Sequence, residues 1–248
     1  MMTPGFRLLR YETLGSTNDE AKRLAREGEP GGAIVYAMAQ TAGRGRRGRE
    51  WVSPATGNLY SSLLWRPECA AASAAQLGFV AALAMGEALD PFIPEPARLR
   101  FKWPNDLLLN GRKLCGILLE SETSAAVVEF VVIGIGVNLA TAPVGTETVA
   151  TSLAQEGAPG VTPEMVLPRF ADAFAKWAGV WRQSGFAAIR PAWLARAGGV
   201  GEDIRVRLER ETLYGRFLDL DDAGALLLGQ AAGQRRIAAG DIFPAAGW

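Results

Sequence analysis

The chain contains no histidine in 248 residues. That absence removes the commonest general base, the Ser-His-Asp triad and most zinc sites. Any catalysis must rest on arginine, lysine, carboxylates and positioning, a profile suited to chemistry whose nucleophiles arrive with the substrates. Cysteine is nearly as scarce. Cys69 and Cys115 cannot build a disulfide framework, and the opening MMTPGFRLLR lacks the apolar run of a signal peptide, so a cytoplasmic address is expected. Net charge is missing too: 26 basic residues balance 26 acidic ones. A general coat for DNA or RNA is normally more basic, so no nucleic-acid partner is expected. Residues 69–89 form the one stretch apolar enough to consider as a membrane span. Ser73, Gln76, Gly78, Gly86 and Glu87 punctuate it, so it is expected to be a buried core helix, with no membrane partner.

Against that neutral background stands GRGRRGREW, residues 43–51, with four arginines spaced by three glycines. Guanidinium groups match carboxylate and phosphate oxygens in pairs, and glycine lets backbone N–H groups approach the same oxygens. The segment therefore reads as a loop that wraps an anion rather than as a regular helix or strand. Its literal G-x-G-x-x-G is not a dinucleotide fingerprint, because Glu50-Trp51-Val52-Ser53-Pro54 follows where a helix should open. No G-x-x-x-x-G-K-[ST] phosphate loop occurs either.

In chain order, residues 6–12 read as a strand and Ser16-Thr17-Asn18-Asp19-Glu20 opens a helix that stops near Gly28. Ser16 with Asp19, and Thr17 with Glu20, have capping-box spacing, while the same hydroxyls and the Asn18 amide could hold a small polar ligand. Residues 33–40 form a strand whose last member, Gln40, enters the arginine loop, and residues 58–65 form another. The stretch KWPNDLLLNGRKLCGILLE, residues 102–120, predicts a hairpin with a type I′ turn at Asn110-Gly111. Pro104 keeps the preceding segment out of a central strand and leaves Lys102, Trp103, Asn105 and Asp106 as a polar bend. Strict alternation puts Lys113, Cys115, Ile117 and Leu119 on one face and Leu114, Gly116, Leu118 and Glu120 on the other. Gly116 marks a close backbone approach or a bend. Asp106 reads as a turn carboxylate or as a magnesium contact beside a triphosphate.

Residues 126–139 read as a central strand buried on both faces, ending in Asn138, which can serve a turn or point at a base or ribose. Residues 163–183 and 186–197 predict two helices with Phe170, Phe174, Trp177 and Trp181 in the core. From 198 onward short alternating strands, at 204–209, 212–220, 225–228 and 235–238, predict a small β-barrel behind a domain boundary.

Four motifs taken together, STND (16–19), GRGRRGREW (43–51), KWPND with RKLCGIL (102–106, 112–118) and IGIGVNL (133–139), closely resemble the biotin protein ligases, in that family's order. LYGRFLDLDDAGALLL (213–228) resembles the family's small C-terminal barrel. The resemblance spans nearly the whole chain. It implies an α+β fold: a mixed, largely antiparallel sheet packed with helices, the class II synthetase-like catalytic domain of biotin and lipoyl ligases, over residues 1–197, with an SH3-like barrel over 198–248. It also implies the family's two-step reaction, in which biotin and ATP give biotinyl-5′-AMP and pyrophosphate, and a lysine of a biotin carboxyl carrier protein then takes the biotinyl group.

By the same resemblance Ser16, Thr17, Asn18 and Gln40 hold the ureido ring, and Gly45 and Gly116 lie against biotin. Arg44, Arg46 and Lys113 carry the chemistry at the carboxylate and α-phosphate. Arg49, Trp51, Lys102, Asn105 and Asn138, with Arg46, bind the nucleotide, and Asp106 meets Mg2+. The chain opens almost at once on the catalytic domain, so no DNA-binding repressor function is expected. The family often pairs edge to edge, which allows a homodimer. Three rivals remain: a lipoyl or octanoyl ligase, which would lack the arginine loop; a nucleic-acid binder, disfavoured by neutral charge; and a ligand sensor, disfavoured by retention of Arg44, Arg46, Lys113 and Asp106.

Overall fold

The computed structural model describes residues 3–124 and 127–245. Seven strands form the first sheet: β1 (Arg7–Leu14), β2 (Ala33–Gln40), β3 (Leu59–Trp65), β4 (Leu99–Lys102), β5 (Asp106–Leu109), β6 (Arg112–Ser124) and β7 (Val127–Val137). Their spatial order is β1-β2-β3-β7-β6-β5-β4. Only β1 and β2 run parallel, so the sheet is mixed and largely antiparallel, as expected. The unbroken apolar run of β7 takes the middle place, where Val131 to Ile135 are buried. Ala126, expected at its start, lies outside the described residues. The strand before Pro104 lies at the sheet edge, where a residue without an N–H breaks no ladder.

Helix α1 (Thr17–Arg26) covers one face of the sheet, packing Ala21 and Ala25 onto Leu64, Phe130 and Val132. The other face carries α2 (Ala71–Ala74), α3 (Leu77–Leu89), α4 (Pro163–Ser184) and α5 (Phe186–Leu194). Residues 69–89 were expected as one helix. They form two, because bonds from Gln76 N to Ser73 O and from Gly78 N to Ala75 O tighten the chain to an i to i+3 pattern. There Gln76 turns its amide to Trp181 and to the carbonyl of Asp222. Every residue of α3 except Glu87 is buried, as befits a helix apolar all round. Residues 71–92 are long and apolar enough to cross a membrane, yet 72% of their most apolar window is packed inside the protein. Each buried Leu or Val there contributes about 1.5–3 kcal/mol. Phe170, Phe174 and Trp181 are core, and Trp177 packs at its margin with its indole N–H on Glu87.

A second, antiparallel sheet follows: β8 (Asp203–Arg207), β9 (Thr212–Leu220), β10 (Leu226–Gln230), β11 (Gly233–Ile237) and β12 (Asp241–Pro244), in the order β11-β10-β9-β8-β12. The last strand was not foreseen. Four residues ending in proline carry too little alternation to register as a strand. The turn expected at residues 221–224 forms, with Asp221 accepting from the N–H groups of Ala223 and Ala225. The two sheets share one hydrophobic core, and Trp103 donates its indole N–H across the seam to the carbonyl of Gly224.

Two local details position the site. Asn110 (φ 50°) and Gly111 (φ 74°) are both left-handed, as a type I′ turn requires. Beside that turn Leu107 faces Cys115 while Leu108 faces Lys113, so Leu114 is an extra residue bulged into the ladder. The bulge corrects the strict alternation expected for this strand. Leu114, Cys115 and Ile117 enter the core, and Lys113 comes round to the face of Gly116.

Candidate active site

A cavity of about 370 Å³ opens over the middle of the first sheet, and every binding or catalytic residue expected from the sequence lines it, while Trp103 of the expected polar bend is buried in the core instead. Its floor is glycine. Gly116 and Gly136 face each other across β6 and β7, and the Trp51 indole lies on them. A Cβ at Gly136 would overlap the indole, and one at Gly116 would stand 2.8 Å from it and 3.3 Å from Lys113 Nζ. The indole N–H is buried with no hydrogen-bond partner among the described residues. Lys113 Nζ sits 5.3 Å from the indole ring, within cation–π range.

One end of the cavity is neutral. Ser16, Thr17 and Asn18, at the start of α1, are buried, and neither expected capping box forms. Asp19 and Glu20 are drawn off by stronger partners: Arg44 grips Asp19 through both guanidinium nitrogens at 2.5 and 2.6 Å, and Glu20 takes Arg23 and Tyr11. The freed polar groups bond one another instead. Gln40 Oε1 accepts from the Thr17 N–H (2.8 Å), Gln40 Nε2 donates to Ser53 Oγ (2.9 Å), and the Asn18 amide meets Ser62 and Glu120.

The other end is charged. Lys113 Nζ pairs with Asp106 Oδ1 at 2.8 Å. Lys102 is buried, 4.9 Å from the ring of Phe243, and burial lowers its ammonium pKa below the usual lysine value. Asn105 is held from both sides, accepting from Arg46 Nη1 (3.1 Å) and donating to the carbonyl of Ile117. Asn138 donates to the carbonyl of Thr151 (3.1 Å) and so ties the end of β7 to the loop after it.

The arginine loop closes one side. Gly45 N bonds Arg49 O (2.7 Å) and Trp51 N bonds Gly43 O (2.9 Å), with Arg47 left-handed between them at φ 57°. A Cβ on Gly43 would collide with the carbonyl of Trp51 and the hydroxyl of Ser53, so glycine is required for that closure. Each arginine meets an acid. Arg44 takes Asp19; Arg46, Arg47 and Arg49 converge on Asp241 at 3.8, 3.5 and 2.7 Å. Burial also lowers the pKa of Arg46, against the pull of Asp241 and Asp106.

The Biotin/lipoate A/B protein ligase family model matches residues 12–138, and the Biotin protein ligase C terminal domain model matches residues 199–243. The chain is 50% identical over 233 residues to the biotin–[acetyl-CoA-carboxylase] ligase of Paracoccus denitrificans, covering 92% of this chain and 96% of that one. The chain belongs to the biotin protein ligase family. It is also 35% identical to the bifunctional ligase/repressor BirA of Bacillus subtilis (strain 168), over 96% of this chain and 74% of that protein. Among solved structures, the biotin protein ligase from Aquifex aeolicus in complex with biotin and ATP aligns with a TM-score of 0.80 at 26% identity, over 96% and 97% of the two chains.

Within this biotin protein ligase scaffold, the sequence reading missed the residues that support the lining ones. Ser62 and Glu120 fix Asn18, Ser53 fixes Gln40, and Asp241 gathers three arginines. Ser61-Ser62 inside an otherwise apolar strand was the one visible signal, since a hydroxyl that is 0% exposed needs a partner. Asp241 carried none: the loop arginines it gathers lie some two hundred residues away in sequence. Asp106 is the lone acid beside Lys113, and no group of three or more His, Cys, Asp or Glu able to hold a metal occurs among the described residues.

Proposed function

We propose that the chain condenses biotin with ATP to biotinyl-5′-AMP and passes the biotinyl group to a lysine of a biotin carboxyl carrier protein. One observation carries the reading: a neutral, hydrogen-bonding end (Thr17, Asn18, Gln40) and a cationic end (Lys113, Lys102, Arg46) share one cavity over a glycine floor. A fused bicyclic urea with a carboxylate tail needs the first end for its ring and the second for its anion. The named relatives, a biotin–[acetyl-CoA-carboxylase] ligase and a ligase solved with biotin and ATP, support the same assignment.

In this reading Ser16, Thr17, Asn18 and Gln40 bind the ring, with Gly45 and Gly116 close against it. Lys113 stands where the carboxylate meets the α-phosphate. Its ammonium releases Asp106, lets two anions approach and stabilises the charge that builds as the carboxylate oxygen attacks phosphorus and pyrophosphate leaves. Arg44 and Arg46 brace the loop over the mixed anhydride and keep water from it. Arg49, Lys102, Asn105 and Asn138 hold the nucleotide, and Trp51 stacks on the adenine. The indole now lies on the floor itself, so an arriving ligand must share that surface with it or move it.

A solitary carboxylate suits Mg2+, an ion that keeps most of its waters and arrives on phosphate oxygens. Asp106, freed from Lys113, would supply the protein ligand, and the ion would neutralise the triphosphate. Transfer then needs only a carrier amine attacking the acyl carbon, with AMP as leaving group.

We further read residues 1–197 and 198–248 as catalytic and SH3-like barrel domains, the latter supported by the family match over 199–243. A cytoplasmic homodimer without nucleic-acid partners completes the proposal. Biotin-dependent ATP–pyrophosphate exchange, run with lipoate and octanoate as competitors, tests it. Exchange driven by lipoate in preference to biotin would overturn it.

A further inference from the structure

Two ammonium groups in the cavity wall lie against aromatic rings, and they differ in what else they touch. Lys113 is partly buried, 5.3 Å from the Trp51 indole, and paired with Asp106 at 2.8 Å. Lys102 is buried, 4.9 Å from the ring of Phe243, and makes no ion pair among the described residues. Its one hydrogen-bond partner among them is Thr148 Oγ1, at a long 3.4 Å. The carboxylates that attract it from around the cavity are engaged elsewhere: Asp106 with Lys113, Asp241 with Arg49 and Arg207, Glu147 with Arg207.

The ring that faces Lys102 comes from the second sheet. Alternation along β12 sends Ile242 into the core and turns Asp241 and Phe243 to the cavity, with Phe243 opposite Arg205 on β8. Arg205 and Arg207 also lie against this ring, at 4.6 and 5.1 Å, but Arg205 is exposed to water and Arg207 has its carboxylates. Of the three cations, Lys102 has the least else to hold it. A ring face is worth most to a desolvated cation.

A ring does for this lysine what a carboxylate cannot. It attracts the ammonium without accepting any of its three N–H donors in an ion pair, so an arriving anion meets donors that need not be pulled from a partner. Without the ring, the ammonium turns to the carboxylates around it: Asp106, opposite Lys102 on β5, and Glu147, next to Thr148. Such a pair must then be broken each time phosphate binds, and the cost appears as lost affinity.

We propose that Phe243 is a positioning residue: its ring holds the Lys102 ammonium at the cavity wall with N–H groups free for the phosphates of ATP. The inference rests on the biotin ligase reading and deepens it at the nucleotide end. It accounts for an apolar ring standing among the charged groups of that end.

The test is the KM for ATP in biotin-dependent ATP–pyrophosphate exchange by the full-length chain. Phe243→Leu raises it roughly tenfold and leaves the KM for biotin unchanged. A trifluorinated phenylalanine at position 243, which keeps the shape of the ring and drains negative charge from its face, raises it several-fold. Lys102→Met raises the KM for ATP on its own, and in that background Phe243→Leu adds nothing, because the ring acts through the ammonium. A wild-type KM for ATP in Phe243→Leu, or an unchanged KM with the fluorinated ring, would overturn the inference. So would additive effects of the two substitutions, which would assign the ring to Arg205, Arg207 or the nucleotide itself. A wild type with no biotin-dependent exchange would overturn the biotin ligase reading first, and the inference with it.

Discussion

The two ends of the cavity solve the problem of buried polarity in opposite ways. At the proposed ring end, Ser62, Thr17, Asn18 and Gln40 satisfy one another in fixed contacts, with Glu120 and Lys22 paired behind them and Arg44 tied to Asp19 at the rim. At the phosphate end, Lys113, Arg46 and Arg49 are charged and lean on Asp106 and Asp241 as temporary partners. The first arrangement is already shaped for its ligand. On the proposed function the second exchanges a protein carboxylate for a substrate anion, because a partly buried cation such as Lys113 or Arg46 is stabilised by a counter-charge. Preorganisation at one end and exchangeable pairing at the other is what a reaction between a bound ring and an incoming polyphosphate requires.

The comparison breaks first at Lys113. If that ammonium is the exchangeable partner of the reacting anions, Lys113→Ala lowers biotin-dependent ATP–pyrophosphate exchange by roughly 10²–10³-fold while the fold is kept. Exchange at the wild-type rate would remove Lys113 from the chemistry. Arg46→Ala comes next. Its side chain spans from Asn105 to the carbonyl of Gly240, so its loss opens the loop and the adenylate escapes about a hundredfold faster. A filter assay for retained labelled intermediate reads this directly, and unchanged retention contradicts it.

Between the two ends the glycine floor sharpens the contrast. Gly136→Ala drives a methyl group into the Trp51 indole, an overpacking that costs about 1–3 kcal/mol unless the ring moves. On the proposed function, in which ligand and indole share this surface, biotin affinity is expected to fall about tenfold. Tryptophan emission of the unliganded protein should shift as the indole is displaced. An unshifted spectrum with wild-type affinity would mean that the floor tolerates a side chain.

What could be read beforehand follows the range of the interactions. Residues 43–51 announced their loop because glycine and arginine act through local backbone freedom and charge, and β7 announced its place through an unbroken apolar run. The Asn110-Gly111 turn was legible for the same reason. Lys113 and Gly116 were assigned to opposite faces because a bulge at Leu114 leaves no mark in a row of apolar residues. Ser16 and Thr17 carried a cap pattern that tertiary partners overrode, once Arg44 had taken Asp19. Ser62, Glu120 and Asp241 act across long separations, and spacing along the chain contains nothing about them.

Asp241 offers the mildest test, on stability rather than turnover. Burial would raise its carboxyl, but the hydrogen bond from Arg207 and the charges of Arg49, Arg46 and Arg47 prevail and hold it below its ordinary 3.8. A carboxyl depressed in the folded state stabilises the fold above its unfolded pKa, and that contribution is lost as pH falls through the folded value. Asp241→Asn should therefore cost about 1 kcal/mol at neutral pH, where the partly exposed network is screened by solvent. From about pH 4 downward the gap to wild type narrows. Urea midpoints at pH 7 and at about pH 3 measure both, and a gap that widened in acid would mean that Asp241 is not held ionised by the loop. The same substitution removes the shared counter-charge of four arginines, three of them in the loop. Its residual effect on exchange at low salt, a few-fold at most, reports how much of the loop's closure depends on the second sheet.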